Sequence, residues 1–322
     1  MSATTLVILL NWNAPEMTVE CVRSLQAMRD AAFSILVVDN GSRDGSVDYL
    51  RSHCPAIEVI GNPVNLGFAG GCNVGLRYAL EHGYNYAFLI NNDTLVEEAL
   101  LAELLEAAER WPQAAILSPK ILYFDMPDRI WWVGGTYSLW TGLARHTALG
   151  KPDRGNWEQQ RTLPWATGCA MLLRCSALRQ IGLFDEAIFA NSEDVDLSLR
   201  AIEKGYSIVF VPTARLWHKE GISYRSNAGE AARLFMQMRN TLWVWRKHAR
   251  CWHKFTCWPY LLLYYVPKMS LLARLRGQES PAWAMLQGVA AYRRMRHNPF
   301  DHATLPAGLR PPVIRRPASE AS

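Results

Sequence analysis

Short apolar runs alternate with helical patterns along the first hundred residues of the chain. The runs are rich in β-branched residues and leucine and cover residues 5–10, 34–39, 56–61 and 86–90. The intervening stretches, which start near Pro15, after Gly45 and at Ala69, have helical character. Strands that are apolar on both faces and separated by helices are typical of a parallel sheet covered by helices. The pattern therefore predicts an α/β fold with a doubly wound layer.

Later segments have equally distinct patterns. Residues 97–110 place leucines at helical spacing, with acids at the start and Pro112 beyond the end, which predicts an amphipathic helix. The pattern of residues 114–174 predicts short strands in a mixed or antiparallel region. We expect a helix at 193–204, a strand at 206–212, a helix at 228–250, and helical pieces over 255–295 separated by Pro259, Pro267, Gly277 and Pro281.

Composition restricts the class of protein. The 322 residues are 50% hydrophobic and 20% charged, which excludes a disordered chain and a fibre. The seven cysteines include no CxxC pair, so we expect no disulfide framework or four-cysteine zinc site, and a reducing compartment. The run LVILL near the start lacks the flanks of a signal peptide, and the apolar stretch 255–266 is too short to span a bilayer.

The charge is divided unevenly along the chain. Residues 1–223 carry a net charge of −7, whereas residues 224–322 carry +12. In that second part, basic residues are interleaved with tryptophan and tyrosine in proline-interrupted apolar runs, which favours an anionic membrane surface over nucleic acid as the partner. Packing of the aromatic residues against the rest of the protein is the alternative. We expect a domain at 1–225, a basic helical extension at 226–298 and a disordered tail at 299–322.

Asp39 follows the second predicted strand, and turn-forming Asn-Gly and Asp-Gly pairs come directly after it. Open α/β sheets bind nucleotides at this end of their strands, so Asp39 is a candidate nucleotide-binding residue, unless it only caps the turn. A Rossmann dinucleotide site would need a GxGxxG after the first strand. The sequence has NWNAPE there instead, which argues against that site.

A second candidate is the loop NPVNLGFAGGCNVG at residues 62–75, which contains Asn65, Gly67 and Asn73 and precedes a helix. Glycines and a helix N-terminus suit a phosphate group. A tight connection between a strand and a helix would explain the same glycines.

Three further groups could carry chemistry. The triplet Asn91-Asn92-Asp93 follows a strand and could bind a hard divalent cation, or it could be a turn that caps the next helix. Glu193 and Asp194 begin a predicted helix. The helix dipole stabilises acidic residues at this position, and one of the two could also serve as a general base. His218 follows the strand at 206–212 by a few residues and could ligate a metal or be a packed histidine.

The order and spacing of these segments closely resemble the family 2 glycosyltransferases, and more narrowly the rhamnosyltransferase-like branch that builds bacterial surface polysaccharides. The resemblance covers roughly residues 4–250. The segment GLFDEAIFANSEDVDLSLRAIEKGYSIVFVPTARLWHKEG at 182–221 is its most specific part, and MRNTLWVWRKH at 238–248 is similar to the helix that follows the catalytic domain in this branch.

The resemblance implies a GT-A fold that binds a nucleotide-diphospho-sugar, usually with Mg²⁺ or Mn²⁺. It places Asp39, with Asn11 and Asn13 alongside, at the nucleoside. The remaining residues of the implied site are Asn65, Gly67, Asn73 and Asn92 for the donor, Asp93, Asn91 and His218 for the metal, and Asp194 as catalytic base within the Glu193-Asp194 motif. The family's metal triplet commonly begins with Asp, and Asn91 at this position leaves strict metal dependence open.

We therefore expect an inverting glycosyltransferase that adds rhamnose or another hexose to a growing, lipid-linked glycan, and that acts as a peripheral cytoplasmic enzyme on the inner face of the cytoplasmic membrane. One alternative is a nucleotidyltransferase on a similar sheet, which would release pyrophosphate. An inactive carbohydrate-binding scaffold is the other, and the presence of Asp93 together with Glu193 and Asp194 argues against it.

Overall fold

The computed structural model describes residues 5–219, 227–275 and 282–295, which form an α/β sheet structure followed by helices. The strands are β1 (Thr5–Asn11), β2 (Phe33–Asp39), β3 (Glu58–Gly61), β4 (Tyr86–Asn91), β5 (Thr94–Val96), β6 (Ala114–Tyr123), β7 (Ile130–Trp132), β8 (Gly135–Ser138), β9 (Leu143–His146), β10 (Arg161–Thr162), β11 (Ala170–Arg174) and β12 (Ser207–His218). The helices are α1 (Pro15–Gln26), α2 (Ser46–His53), α3 (Gly67–Glu81), α4 (Leu100–Arg110), α5 (Cys175–Ile181), α6 (Glu193–Glu203), α7 (Asn227–His248), α8 (Lys254–Pro259), α9 (Val266–Leu275) and α10 (Ala282–Met295).

The main sheet is mixed: β11 runs antiparallel between two groups of parallel strands, and β5, β7 and β10 also pair antiparallel with their neighbours. Its order is β10-β12-β6-β11-β4-β1-β2-β3, and β5 and β7 pair at its margins with β12 and β6. Strands β4, β1, β2 and β3 are parallel, as are β6 and β12, whereas β11 runs antiparallel to both β4 and β6. The α/β prediction and the expected mixed region after residue 114 are both confirmed.

The core explains why the first strands read as continuous apolar runs. Residues 6–9 of β1 and 36–38 of β2 are almost fully buried, because helices cover both faces of the sheet. Helix α4 buries its leucines at 100, 101 and 104 against this core. Burial of such side chains, worth about 1.5–3 kcal/mol each, is the main stabilising contribution here.

Two of the differences from the predicted element boundaries affect the candidate site. Helix α4 begins at Leu100 rather than at residue 97, because residues 94–96 pair with β12 as strand β5. Thr94 lies opposite His218 in that pairing, so the alternative in which Asp93 or Thr94 caps the helix is wrong. Strand β12 runs through a register irregularity between Val211 and Arg215 and ends at His218, so this histidine terminates the strand instead of following it.

Helices α7 to α10 enclose a second hydrophobic core, which includes Leu242, Trp245, Leu261 and Met285. The predicted helix at 228–250 is confirmed as α7. The sequence predicts helical pieces separated at Pro259 and Pro267. The helical conformation instead continues past both, because residues 260–265 form a π-helical turn between α8 and α9. Such a wide turn changes the hydrogen-bond pattern next to Pro259, which has no N–H to donate.

Gly277, Pro281 and the tail at 299–322 lie outside the described residues, and the division into domains at residues 225 and 298 stays a prediction. In the part of the chain that is described, no helix is both long enough and apolar enough to cross a membrane.

Candidate active site

The predicted site residues lie along one edge of the main sheet. Asn11 and Asp39 end the neighbouring parallel strands β1 and β2 and are paired in register, and Asn91 ends β4 on the other side of β1. Because β11 is antiparallel, its first residue Ala170 lies opposite Ile90, so the loop before β11 meets the same edge. His218 completes the row at the end of β12. Parallel strands thus bring together residues as distant in the sequence as Asn11 and His218.

Asp39 is buried and accepts hydrogen bonds on both carboxylate oxygens. Asn11 Nδ2 donates to Oδ2 at 2.7 Å, and Ser42 donates its hydroxyl to Oδ2 at 2.6 Å and its backbone N–H to Oδ1 at 3.0 Å. Ser42 Oγ also accepts the Asn13 backbone N–H at 2.8 Å. These contacts correspond to the turn-capping alternative for Asp39, and its contact with a nucleoside stays a prediction.

Asn92 is connected to this network through Thr18. The Asn92 side chain donates to Thr18 Oγ1 at 2.8 Å, and Thr18 donates to Asn11 Oδ1 at 2.7 Å. Four of the predicted donor residues, Asn11, Asn13, Asp39 and Asn92, are therefore brought together.

The glycine-rich loop has a network of its own, centred on Asn40. Asn40 Nδ2 donates to Asn65 Oδ1 and to the Gly67 carbonyl at 3.0 and 2.9 Å, and the Gly67 N–H donates to Asn65 Oδ1 at 2.8 Å. Gly67 has a φ of +75°, and a Cβ there would lie 2.5 Å from the Phe189 carbonyl oxygen. The loop thus needs glycine to pack against residue 189.

Asn73 is placed differently from the other predicted donor residues. Its buried amide exchanges hydrogen bonds with the backbone of Phe184 at 2.9 and 3.0 Å and donates to Glu186 at 2.9 Å. The structure brings Asn73 to the segment after α5 and not to the network of Asp39. Its predicted contact with the donor is untested.

Asp93 and His218 form the candidate metal pair. Asp93 Oδ1 and His218 Nε2 lie 3.1 Å apart, and neither atom makes a hydrogen bond of good geometry, although both are buried. Within residues 5–219, 227–275 and 282–295, no group of three or more His, Cys, Asp or Glu side chains is arranged to hold a metal ion. A hard cation that keeps water and phosphate oxygens in its shell needs few protein ligands, so the pair fits such an ion.

The surroundings of His218 are aromatic and charged. The ring of Trp131 lies edge-on to His218 with centroids 4.4 Å apart. Burial lowers the pKa of His218, but Cys169 and the Asp93 carboxylate outweigh this effect and raise it to about 11. A divalent cation bound by the pair would compete with that proton.

Glu193 and Asp194 form the first turn of α6 and differ in exposure. Glu193 is buried, with its Oε2 unpartnered, whereas Asp194 is partly exposed. Asp194 accepts the backbone N–H groups of Gly168 at 2.9 Å and Val195 at 2.8 Å. These bonds fix the carboxylate at the start of β11, on the sheet edge that carries the other candidate residues.

The two carboxyl groups have raised pKa values. Burial is the largest cause of the raised pKa of Glu193, and the charge of Asp194 adds to it. Burial also raises the pKa of Asp194, against the opposing effect of its backbone hydrogen bonds. Two adjacent carboxyl groups do not readily ionise together, so we infer that the buried Glu193 retains its proton while the partly exposed Asp194 ionises.

The backbone before α6 is strained. Phe189, Asn191 and Ser192 have φ values of +67°, +68° and +80°, a region that residues other than glycine rarely adopt. The Ala69 N–H at the start of α3 donates to the Phe189 carbonyl at 3.0 Å. Strain of this kind costs about 1–3 kcal/mol per residue and persists only where surrounding contacts hold it.

Sequence reasoning missed several residues of this region. Gly168 binds Asp194, Trp131 covers His218, and Arg239 and Asn240 of α7 bind the carbonyls of residues 187–191. Arg239 and Asn240 lie in the segment 238–248 that carries part of the family resemblance, and this segment was the available signal for them. The contact of Gly168 depends on the position of its backbone, which no side-chain pattern indicates.

Comparison with solved structures defines the fold class of the protein. The structure superposes on that of GalNAc-T7 solved with UDP, GalNAc and Mn²⁺, at a TM-score of 0.63 and 16% sequence identity. The superposition covers 92% of this chain and 58% of the GalNAc-T7 chain. At this identity the likeness concerns the fold alone. The mixed sheet, with the candidate site at its carboxyl edge, is that of a GT-A glycosyltransferase.

The sequence specifies the family further. The glycosyl transferase family 2 model matches residues 6–182, and the chain belongs to this family. The chain is 28% identical over 260 residues to the N-acetylglucosaminyl-diphospho-decaprenol L-rhamnosyltransferase of Mycobacterium tuberculosis, covering 70% of this chain and 81% of the relative. It is also 28% identical over 212 residues to the galactofuranosyltransferase GlfT1 of the same organism, covering 64% and 66%. The predicted GT-A fold and family are confirmed, and the protein is a glycosyltransferase.

Proposed function

We propose that this glycosyltransferase moves a sugar from a nucleotide-diphospho-sugar to a hydroxyl group with inversion at the anomeric carbon. The observation that carries the proposal is the position of Asp194, a partly exposed carboxylate anchored by Gly168 at the sheet edge that also bears Asp93 and His218. A base and a site for the leaving group therefore lie along one edge.

Asp194 acts as the general base. The acceptor oxygen forms a bond to the anomeric carbon, its proton moves to the Asp194 carboxylate, and the bond from the anomeric carbon to the diphosphate oxygen breaks. General-base catalysis of this kind contributes about 10²–10⁴-fold to the rate. The raised pKa of Asp194 makes it a stronger base than an ordinary aspartate. A single displacement inverts the anomeric centre and requires no covalent intermediate.

Asp93 and His218 would hold Mg²⁺ or Mn²⁺, with Asn91 alongside. When bound, the cation would stabilise the charge that develops on the diphosphate leaving group. The buried, unpartnered atoms of the pair support this assignment. Asn91 replaces the acid that commonly begins the family's triplet, so the protein contributes less negative charge to the cation.

The donor nucleotide is assigned to the network of Asp39. Asn11, Asn13 and Asn92 surround this carboxylate through Ser42 and Thr18, and they border the metal pair along the chain at Asn92 and Asp93. Asn65, Gly67 and Asn73 are assigned to the neighbouring phosphate side. The positive end of the α3 helix dipole lies at Gly67 and supports the phosphate assignment, although the N–H groups of Gly67 and Ala69 are already bound to Asn65 and Phe189.

Rhamnose and a lipid-linked glycan are the proposed sugar and acceptor. The support is the mycobacterial relative, which is named as a rhamnosyltransferase acting on N-acetylglucosaminyl-diphospho-decaprenol. The second relative is named as a galactofuranosyltransferase at the same identity, so other hexoses belong in any donor screen.

The helical extension is proposed to dock on an anionic membrane surface. Residues 231–278 contain nine lysines and arginines and no aspartate or glutamate. Several large apolar side chains there are exposed, among them Phe255 at 82%, Leu263 at 78% and Leu275 at 74%. Tyr264, Lys268 and Leu271 follow a helical spacing, and Lys268 Nζ lies 3.3 Å from the Tyr264 hydroxyl, which shows that these two side chains share a face.

This surface combines the two features that favour binding at a lipid headgroup layer. Apolar and aromatic side chains enter the boundary, and each nearby basic residue contributes about 1 kcal/mol on an anionic leaflet. Docking would bring the enzyme to a lipid-linked acceptor. The proposed location is the inner face of the cytoplasmic membrane, where the protein is peripheral.

The proposed reaction is tested by analysis of the products. The purified protein is incubated with dTDP-, UDP- and GDP-sugars and a synthetic polyprenyl-diphospho-N-acetylglucosamine, and the released nucleotide and phosphate species are separated. A nucleoside diphosphate that appears only with acceptor supports glycosyl transfer. Release of pyrophosphate in a parallel incubation with nucleoside triphosphates and sugar 1-phosphates would indicate the nucleotidyltransferase alternative, and donor binding without any release would indicate a scaffold.

A further inference from the structure

Helix α7 contacts the strained backbone that leads into α6. The contacts come from Arg239 and Asn240, which are almost fully buried. We propose that Arg239 and Asn240 are positioning residues that hold residues 187–192 in the conformation that places Asp194 for catalysis. The inference rests on the proposed function, because it assigns to Asp194 the role of base.

Asn240 makes an unusual set of contacts with one short segment. Its Nδ2 group lies 2.9 Å from the carbonyl oxygen of Ile188, 2.6 Å from that of Ala190 and 2.9 Å from that of Asn191. An amide nitrogen has two hydrogens, so these three carbonyls share two donors. The segment has to remain tightly curved for all three oxygens to converge on one nitrogen.

Arg239 supports both the segment and Asn240. Its Nη2 donates to the Ile188 carbonyl at 2.7 Å and to the Ala187 carbonyl at 3.3 Å, while its Nε donates to Asn240 Oδ1 at 2.8 Å. The last bond fixes the orientation of the Asn240 amide, so that its nitrogen faces the segment. Burial lowers the pKa of Arg239 to about 10, which still leaves the guanidinium charged at neutral pH.

These contacts are directed at the residues with unfavourable backbone angles. Phe189 and Asn191 have positive φ, and the carbonyls on either side of Phe189 are bound by Asn240. Ser192, the third such residue, directly precedes Glu193 and Asp194. Without the contacts to α7, we expect the segment to relax toward ordinary backbone angles and to move the start of α6.

Further along the same helix, a second group of contacts fixes α6 itself. Lys247 Nζ lies 2.6 Å and His248 Nε2 3.1 Å from Oδ1 of Asp196, whose Oδ2 accepts from Arg200 at 2.9 Å. Asn240 and Lys247 are seven positions apart, which places them on one face of α7. That face therefore contacts both the backbone before α6 and the first turn of α6.

The test compares two substitutions with a control on the same helix. Asn240→Ala removes all three carbonyl contacts, and Arg239→Lys retains the charge but loses the planar group that binds two carbonyls and Asn240. Trp245→Phe is the control, because it also removes a partly buried hydrogen bond of α7, from Nε1 to the Leu139 carbonyl at 2.7 Å, and this bond does not involve residues 185–196. Each variant is assayed for kcat, donor Kd, melting temperature and amide hydrogen exchange.

We expect Asn240→Ala to lower kcat by about 100-fold, the size of loss that a displacement of about 1 Å causes. Arg239→Lys should lower kcat by about tenfold, in keeping with its smaller loss of contacts. Donor Kd should change less than kcat, because Asn11, Asp39 and Asn92 are held by other residues and only the glycine-rich loop packs on Phe189. Amide exchange of residues 187–192 should accelerate in both variants. Trp245→Phe should lower the melting temperature but leave kcat and the amide exchange of residues 187–192 unchanged.

The proposal is overturned if both variants keep wild-type kcat and exchange, or if Trp245→Phe changes kcat and exchange to the same extent. Should Asn240→Ala not fold, Arg239→Lys decides alone. If the wild-type protein transfers no sugar from any donor, the proposed function fails. In that case exchange at 187–192 still decides whether Arg239 and Asn240 hold this segment.

Discussion

Asp194, the proposed base, combines an anchored position with partial exposure. Gly168 and Val195 donate backbone N–H groups to its two oxygens, and the side chain remains partly exposed. Glu193 beside it is buried and has a strongly raised pKa, so it adds little negative charge near neutral pH. A proton can therefore move to Asp194 while its carboxylate keeps its orientation.

The first prediction concerns Asp194→Asn, which keeps the shape of the side chain but cannot accept the proton. We expect kcat to fall by about 10²–10⁴-fold while donor binding stays unchanged. Because the pKa of Asp194 is raised, the wild-type rate should increase with pH through a range above that of an ordinary aspartate, and the variant should lose this dependence. The measurement is kcat against pH. Near wild-type turnover in the folded variant would refute the assignment.

The second prediction concerns the metal pair. Asp93→Ala and His218→Ala should each weaken the effect of Mg²⁺ or Mn²⁺ on donor affinity by at least about tenfold, because each removes one of two protein ligands. The control is His82→Ala, at an exposed histidine that directly follows α3 and stacks on Tyr78. Donor Kd is measured with and without the cation. If the wild-type protein is indifferent to EDTA and to added cation, the pair has another role.

At the scale of elements, the close approach of α10 to α7 depends on Gly288. A Cβ at this position would lie 2.5 Å from the Phe235 carbonyl oxygen and 3.2 Å from the Arg239 nitrogen. Backbone atoms cannot move aside as a flexible side chain would. The packing of α10 thus bears directly on the part of α7 that contacts the segment before α6.

The third prediction is that Gly288→Val separates the two helices. The added atoms overpack the interface, and we expect the free energy of unfolding to fall by about 1–3 kcal/mol. Ala290→Val on the same helix is the control, because Ala290 is exposed. Chemical denaturation of both variants measures the difference. Equal stability of the two would show that α10 does not pack on α7 as described.

Local patterns predicted most of the sheet but not all of its connections. The ends of β1 and β2 follow from their apolar runs, and parallel pairing then brings Asn11 and Asp39 together. The start of α4 did not follow, because residues 94–96 become a strand only by pairing with β12, more than 100 positions away.

Long-range contacts limited the prediction of the site for the same reason. The bonds of Asn240 to residues 188–191 span about fifty positions, and no periodicity within α7 indicates them. The family resemblance implied the role of the Glu193-Asp194 motif. The strained backbone that precedes this motif is visible only in the folded chain.

At the scale of the whole molecule, an acidic first part and a basic second part imply a preferred orientation at a charged surface. The net charges of −7 for residues 1–223 and +12 for residues 224–322 would turn the helical extension toward an anionic leaflet. The exposed apolar side chains of that extension would then enter the headgroup region.

The fourth prediction tests this orientation with the triple variant Phe255→Ser, Leu263→Ser and Leu275→Ser. The wild-type protein should bind vesicles of phosphatidylcholine with phosphatidylglycerol at low salt, and the triple variant should lose at least about tenfold in partitioning, because each substitution removes an exposed apolar side chain. Leu149→Ser, at an exposed leucine outside the extension, is the control. Sedimentation with vesicles measures binding. Equal partitioning onto pure phosphatidylcholine would contradict the electrostatic part of the proposal.

The central claim is that this chain catalyses a single displacement at the anomeric carbon, and the anomeric configuration of its product tests that claim most directly. The donor that supports turnover is incubated with the polyprenyl-diphospho-N-acetylglucosamine acceptor, and the one-bond carbon–proton coupling at the new linkage is measured by NMR. The account predicts a product whose configuration is opposite to that of the donor. A product with the configuration retained would contradict it.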